Sequence, residues 1–191
     1  MKFNRHSEVE GQHSFLSASK YHWINYEPDR LLESVANSRA AALGTRKHNA
    51  AKECIELGMK LQNTGQTVNM YVNDCIGYRM TPEVTLFYTY NAFGTADAIS
   101  FRREEEEGLV LRIFDLKTGV SPTSGMQLKV YAAYFCLEYN VRPMEISYDL
   151  RIYQNDEIKF IETDPEEVVY IMDRIVESNK LIENAMKEEV I

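Results

Sequence analysis

Two carboxylates and an amine occupy positions where the surrounding sequence is apolar. Asp115 and Lys117 close the run Leu109-Val110-Leu111-Arg112-Ile113-Phe114, which reads as a buried strand. Residues two apart on a strand project to the same face, so the acid and the amine are neighbours. Asp97 sits in a second apolar segment, residues 95–101, joined to the first by a hairpin-length loop. Adjacent antiparallel strands can bring Asp97 and Asp115 together. Two nearby carboxylates in a low-dielectric setting repel each other and resist ionisation. A divalent cation removes both costs, and hard oxygen donors suit Mg²⁺ or Mn²⁺. Lys117 then stands beside the cation, able to orient a water or stabilise charge on a phosphate. The simpler alternative is a strand-end ion pair between Lys117 and the two acids.

The elements needed to position these groups follow from the pattern. Residues 17–25, capped by Ser17-Ala18-Ser19, read as a short amphipathic packing helix interrupted at Pro28; the alternative for its Lys20, His22 and Trp23 is contact with a strand end or single-stranded nucleic acid. A helix is expected from Arg30 to Leu43, punctuated by Gly44, and another from a Thr45 cap to about Asn63. His48, Ala51, Ile55 and Met59 share a face of that second helix, which points His48 toward the core near the helix start. A short helix around Val68 to Cys75 precedes Pro82. Strands are expected over 84–90, 95–101 and 109–117, with a turn at 91–94. Thr95, Asp97, Ile99 and Phe101 are expected on one face. The acidic run Glu104 to Glu107 reads as an exposed hairpin loop. A helix over 126–139, strands over 144–153 and 158–162, and a helix from an Asp164 cap to about Lys187 complete the chain. The apolar residues of that last helix, Val168 to Val176, are expected to cover the sheet. This order predicts an α/β (α+β) fold, a mixed central sheet flanked by helices. One domain of 191 residues is expected: a helical part over 1–81, the sheet and its motif helix over 82–162, and a C-terminal helix over 163–191.

Composition narrows the function classes. The chain carries a formal net charge of −8, which weakens any long-range attraction to nucleic acid. The charge is uneven: residues 1–60 hold nine Lys+Arg against seven Asp+Glu, residues 155–191 four against eleven. Three widely spaced cysteines, Cys54, Cys75 and Cys136, argue against a disulfide framework. No apolar run is long enough for a membrane span, and the N-terminus lacks an apolar signal core. The cytoplasm is the expected compartment.

The segments Gly94-Thr95-Ala96-Asp97, Asp115-Leu116-Lys117 and Gln127-x-x-x-Tyr131, in that order, resemble the core of the PD-(D/E)xK nuclease superfamily. Within it they are similar to the RecB-type exonuclease branch and its phage-encoded relatives. GTRKHNAAKECIE resembles that branch's upstream helix, with His48 at the histidine position. The resemblance spans about residues 14–139 and implies a restriction-endonuclease-like core. It implies that Asp97, Asp115, His48 and the backbone carbonyl of Leu116 bind Mg²⁺ or Mn²⁺, one ion or two, and that Lys117 is catalytic. Gln127 and Tyr131, one turn apart on a helix, would position the DNA backbone or support the site. Arg46 and Lys47 beside His48 are candidate phosphate contacts. Ala96 stands where the superfamily often has proline. The cysteines that hold an iron–sulfur cluster in some relatives have no counterpart, so no cluster is expected. The implied function is a metal-dependent DNA exonuclease of recombination, replication or repair. Some members of the branch are ring-shaped, so a homo-oligomer or a recombination protein partner is a further expectation. The alternative is a protein that keeps the fold and binds nucleic acid without turnover; the intact Asp-x-Lys argues against it. Two further residues are weighed. Glu83 adds an acid if it faces the site, although a glutamate at a strand start usually faces solvent. Tyr134 continues the Gln127–Tyr131 face and is expected in the core.

Overall fold

The computed structural model describes Ser14, Leu16 and residues 18–188. The chain divides into two compact units, Met1–Thr45 and Arg46–Ile191. The first holds a 3-10 helix, Ala18–Asn25, and the start of α1 (Pro28–Glu56). Arg30 stacks its guanidinium 4.4 Å from the Tyr26 ring centre in this unit. The proposed Ser17 cap lies outside the described residues.

Two sequence expectations about α1 are corrected. Pro28 begins this helix, occupying the first position where its missing N–H costs nothing. Gly44 does not end it either. A helical glycine costs only about 1 kcal/mol, and Thr45 does not cap a new helix: its hydroxyl donates back to the Ala41 carbonyl at 3.2 Å. The helix stops instead at Glu56, ahead of Asn63, where Gly58 adopts a left-handed φ of 65°. The Met59 N–H then bonds the Cys54 carbonyl at 2.9 Å, closing the free carbonyls of the last turn.

The second unit is built on a five-stranded mixed sheet in the order β1-β2-β3-β4-β5. The strands are β1 (Thr81–Thr89), β2 (Ala92–Glu104), β3 (Gly108–Leu116), β4 (Ser147–Gln154) and β5 (Glu157–Phe160). β1, β2 and β3 form an antiparallel meander, β4 runs parallel to β3, and β5 returns antiparallel. The parallel step is made by α3 (Met126–Tyr139), because a parallel pair needs a long crossover to carry the chain back to the same end of the sheet. α2 (Thr67–Gly77) precedes the sheet and α4 (Pro165–Glu188) follows it. This is the mixed sheet flanked by helices that the sequence order predicts. The turn after β1 is tighter than expected: β2 begins at Ala92, so residues 91–94 are not all loop. The acidic run keeps its hairpin position, but Glu104 is not idle: it accepts from the buried Arg112 at 2.8 Å. The start of α4 follows the sequence reading, with the Glu166 N–H donating to Asp164 Oδ1 at 2.9 Å. α4 packs chiefly along α3 rather than covering the sheet, burying Val168 and Ile171.

Each face of the sheet supports its own core. On one side Leu86, Ala96, Ile99, Leu111, Ile113, Leu150 and Ile152 pack under Leu128, Ala132 and Phe135 of α3. On the other, Ala98, Phe114, Leu116 and Tyr153 pack under Ala51 and Ile55 of α1 and Tyr71, Val72 and Cys75 of α2. β3 is buried on both faces, which is why its sequence lacks the alternation of a surface strand.

β2 contributes to both cores in an unusual way. Ala96 belongs to the α3 side and Ala98 to the α2 side, although residues two apart ordinarily share a face. The facing therefore reverses at Asp97. Counting from the paired residues on either side, Glu83 stands opposite Asp97, and Glu83 has a left-handed φ of 53°. Thr95 is accordingly exposed, while Ile99 and Phe101 pack against the α3-side core, so the expected common face of Thr95, Asp97, Ile99 and Phe101 does not form. β1 is an edge strand. The Phe87 N–H on its open side donates to Glu138 Oε2 of α3 at 2.7 Å.

Candidate active site

The reversal in β2 places Asp97 at the seam between the two cores, on a register step next to Asp115. His48 reaches the same point from α1, held by the burial of Ala51 and Ile55 on its helical face. His48 Nδ1 lies 3.5 Å from Asp97 Oδ2. One ligand atom each from His48, Asp97 and Glu83 lie within 4.8 Å of one another. Glu83 is exposed, as a strand-start glutamate should be, and still joins this group. Its signal was present in the hairpin: Phe87 and Phe93 flank the turn, and four residues back from each lie Glu83 and Asp97.

Asp97 is anchored and electrostatically loaded. Its Oδ2 accepts the Leu116 N–H at 2.9 Å, so Leu116 contributes its backbone amide to the acid. Burial raises the Asp97 carboxyl to about 6, and the neighbouring Asp115 adds to the rise. The Leu116 N–H, His48 and Lys117 oppose it without cancelling it.

Asp115 is 2 % exposed and points to the α3 side of the sheet. Lys117 Nζ donates to its Oδ1 at 3.0 Å and pairs with Oδ2 at 2.9 Å. Apart from that ion pair the buried Oδ2 has no hydrogen-bond partner. The same ammonium donates to Gln127 Oε1 at 3.0 Å, and Gln127 Nε2 donates to the Tyr131 hydroxyl at 3.1 Å. Asp115, Lys117, Gln127 and Tyr131 thus form one continuous polar chain from β3 to α3. The i, i+4 spacing of Gln127 and Tyr131 makes their bond possible. Burial raises the Tyr131 hydroxyl above its ordinary value, so it remains protonated and can donate.

The two flanking cations separate. Lys47 lines a cavity of about 170 Å³ together with Lys117, Thr67 and Thr118. Arg46 is exposed and lies two residues before His48, about 200° around the helix from it. Tyr134 packs partly buried against the α3-side core.

The donor set fits a hard divalent cation. The half-buried Asp97 carboxylate meets the His48 imidazole and the exposed Glu83 carboxylate at a point where negative charge is already costly. Asp115 does not lie within the tight His48–Glu83–Asp97 group; its charge is met by Lys117. Among the described residues no helix is long and apolar enough to cross a membrane. Comparison of the chain with protein-family models, curated proteins and solved structures finds no match.

Proposed function

We propose that this chain is a divalent-metal-dependent nuclease that hydrolyses phosphodiester bonds in DNA, an exonuclease of recombination, replication or repair. The observation that carries the reading is the adjacency of two polar systems at one strand-end seam. One is the His48–Glu83–Asp97 group; the other is the chain Asp115–Lys117–Gln127–Tyr131. Acid, acid and amine at this spacing are what phosphodiester hydrolysis needs, because it must activate a water and bear extra negative charge on phosphorus-bound oxygens.

Asp97, Asp115 and His48 would hold Mg²⁺ or Mn²⁺, with the Leu116 carbonyl, and Glu83 supplies a further carboxylate beside them. The cation supplies Lewis acidity, lowering the pKa of water and polarising a phosphoryl oxygen. The remaining work belongs to side chains. Lys117 places a full positive charge where the phosphoryl oxygens gain negative charge. Gln127 fixes the Lys117 ammonium by accepting its second hydrogen bond, and Tyr131 fixes Gln127 in turn. Lys47, which lines the same small cavity as Lys117, would contact the adjoining phosphate.

The test is degradation of linear single- and double-stranded DNA with Mg²⁺ or Mn²⁺ by wild type and Lys117→Ala. Cation-dependent loss of substrate, reduced about a hundredfold or more by the substitution, is expected. DNA binding by wild type without any turnover would assign the chain to the non-catalytic reading and overturn this one.

A further inference from the structure

The β1–β2 hairpin exposes one face to solvent, and its residues are not those of an ordinary solvated surface. Three cross-strand pairs follow one another along it: Glu83 opposite Asp97, Thr85 opposite Thr95, and Phe87 opposite Phe93. The Phe87 N–H points outward to Glu138, so Phe87–Phe93 is a non-hydrogen-bonded pair. The alternation of an antiparallel ladder makes Thr85–Thr95 non-hydrogen-bonded as well. These are the positions where facing side chains approach most closely. The Thr85 and Thr95 hydroxyls are 3.0 Å apart. The Phe87 and Phe93 rings are 6.2 Å apart and tilted by 30°. Tyr90 at the turn packs edge-on against Phe87 at 5.4 Å. Phe87 is 40 % exposed, Phe93 55 % and Tyr90 91 %.

We propose that this face is the track of a single nucleic-acid strand, whose bases stack on Phe93, Phe87 and Tyr90 while its backbone passes Thr85 and Thr95 to the acid–imidazole group. The inference rests on the nuclease reading for what happens at the end of the track, and it names the substrate form: an unpaired strand. Asp97 lies four positions on from Phe93, about 13 Å along the strand, a span of a few nucleotides.

One feature favours a nucleic-acid strand over a protein surface as the occupant. The aromatic step runs without interruption into a hydroxyl pair and then into ionisable ligands, whereas an apolar docking patch would be bounded by a polar rim on every side. The charge of the chain bears instead on which form of nucleic acid fits. At −8 overall, it gains little from phosphate neutralisation, so a bound strand must be held by a term that does not depend on net charge. Stacking on aromatic rings is that term, and it requires bases freed from a duplex.

The test measures binding of a fluorescent twelve-nucleotide oligothymidylate by anisotropy in EDTA, so that no turnover is needed. Phe87→Ala and Phe93→Ala should each weaken binding about tenfold, Phe93→Tyr should restore it, and a blunt duplex of equal length should bind more weakly than the single strand. Both side chains are exposed, and far-UV circular dichroism checks that each variant is folded. Unchanged affinity in folded alanine variants overturns the track, as does preferential binding of the duplex. So does a dimer seen by sedimentation that Phe93→Ala dissolves, which would give the face to a second copy of the chain. Aromatic-dependent binding of an oligonucleotide that is never cut with Mg²⁺ or Mn²⁺ sinks the nuclease reading and supports the track. Wild-type cutting of single-stranded DNA by the alanine variants does the reverse.

Discussion

The ring of Tyr131 lies directly against Gly94. A Cβ placed on Gly94 would meet Tyr131 Cε1 at 2.9 Å, closer than carbon atoms pack. The glycine that opens Gly94-Thr95-Ala96-Asp97 therefore makes room for the last residue of the Gln127–Tyr131 pair, tying β2 to α3 behind the acids.

Gly94→Ala should push the Tyr131 ring outward and disturb its bond to Gln127. Overpacking of this kind costs about 1–3 kcal/mol, read from urea unfolding. Adding Tyr131→Ala removes the obstruction, so the double variant should be more stable than the sum of the two single effects predicts. Strict additivity would mean that the two side chains do not meet.

Removing Lys117 leaves Asp115 buried without its cationic partner. Lys117→Ala should destabilise the metal-free protein by about 2–4 kcal/mol, as uncompensated buried charges do. Asp115→Asn in the same chain should recover most of that loss. If Lys117→Ala is as stable as wild type in denaturant titration, the pair contributes nothing to the fold.

The raised Asp97 carboxyl predicts a pH dependence of definite sign. The folded chain holds this proton up to about pH 6, while the unfolded chain releases it near 3.8. Protonation therefore favours folding. In EDTA, stability should rise as pH falls from 7 toward 4.5, and decline as pH rises through 6. The cost of ionised Asp97 at pH 8 is about 3 kcal/mol. Asp97→Asn should be the more stable protein at pH 8 and should converge with wild type near pH 4.5. Wild type exceeding Asp97→Asn at pH 8 would contradict the burial argument.

Cation binding should offset that same cost. At about a hundred times its dissociation constant, Mn²⁺ should stabilise wild type by about 2.7 kcal/mol, seen as a rise in Tm at pH 8. The rise should disappear in Asp97→Asn and His48→Ala and shrink in Glu83→Gln. Equal rises in all four proteins would place the ion elsewhere.

The sequence conveyed the sheet well because its signals were local. The apolar stretch before Asp115, the Asp164 cap and the run over 126–139 each fix an element by themselves, and α3 spans Met126–Tyr139 as read. Gly44 misled because punctuation is only a propensity, and the preceding helix carries through a residue that costs little. Asp115 and Lys117 were legible as neighbours from strand alternation alone, and they touch. Asp97 was legible as an anomalous acid, but not the reversal of facing around it. That reversal coincides with the left-handed Glu83 across the hairpin, which only the paired strands reveal. Phe87 read as an ordinary strand aromatic and Phe93 as part of the turn, because which face of a hairpin remains uncovered is decided by the helix that packs on the other.

The bond from Phe87 N–H to Glu138 carries a consequence for the molecule among its own copies. β1 is nine residues long, rich in β-branched and aromatic side chains, and has an open flank. Such an edge offers a template on which another chain can add a strand. Glu138 occupies an amide in the middle of that flank and sets a carboxylate beside it, so an incoming strand would lose a hydrogen bond and bury a charge. A single glutamate thus lets the hairpin keep its aromatic face uncovered without becoming a nucleus for aggregation.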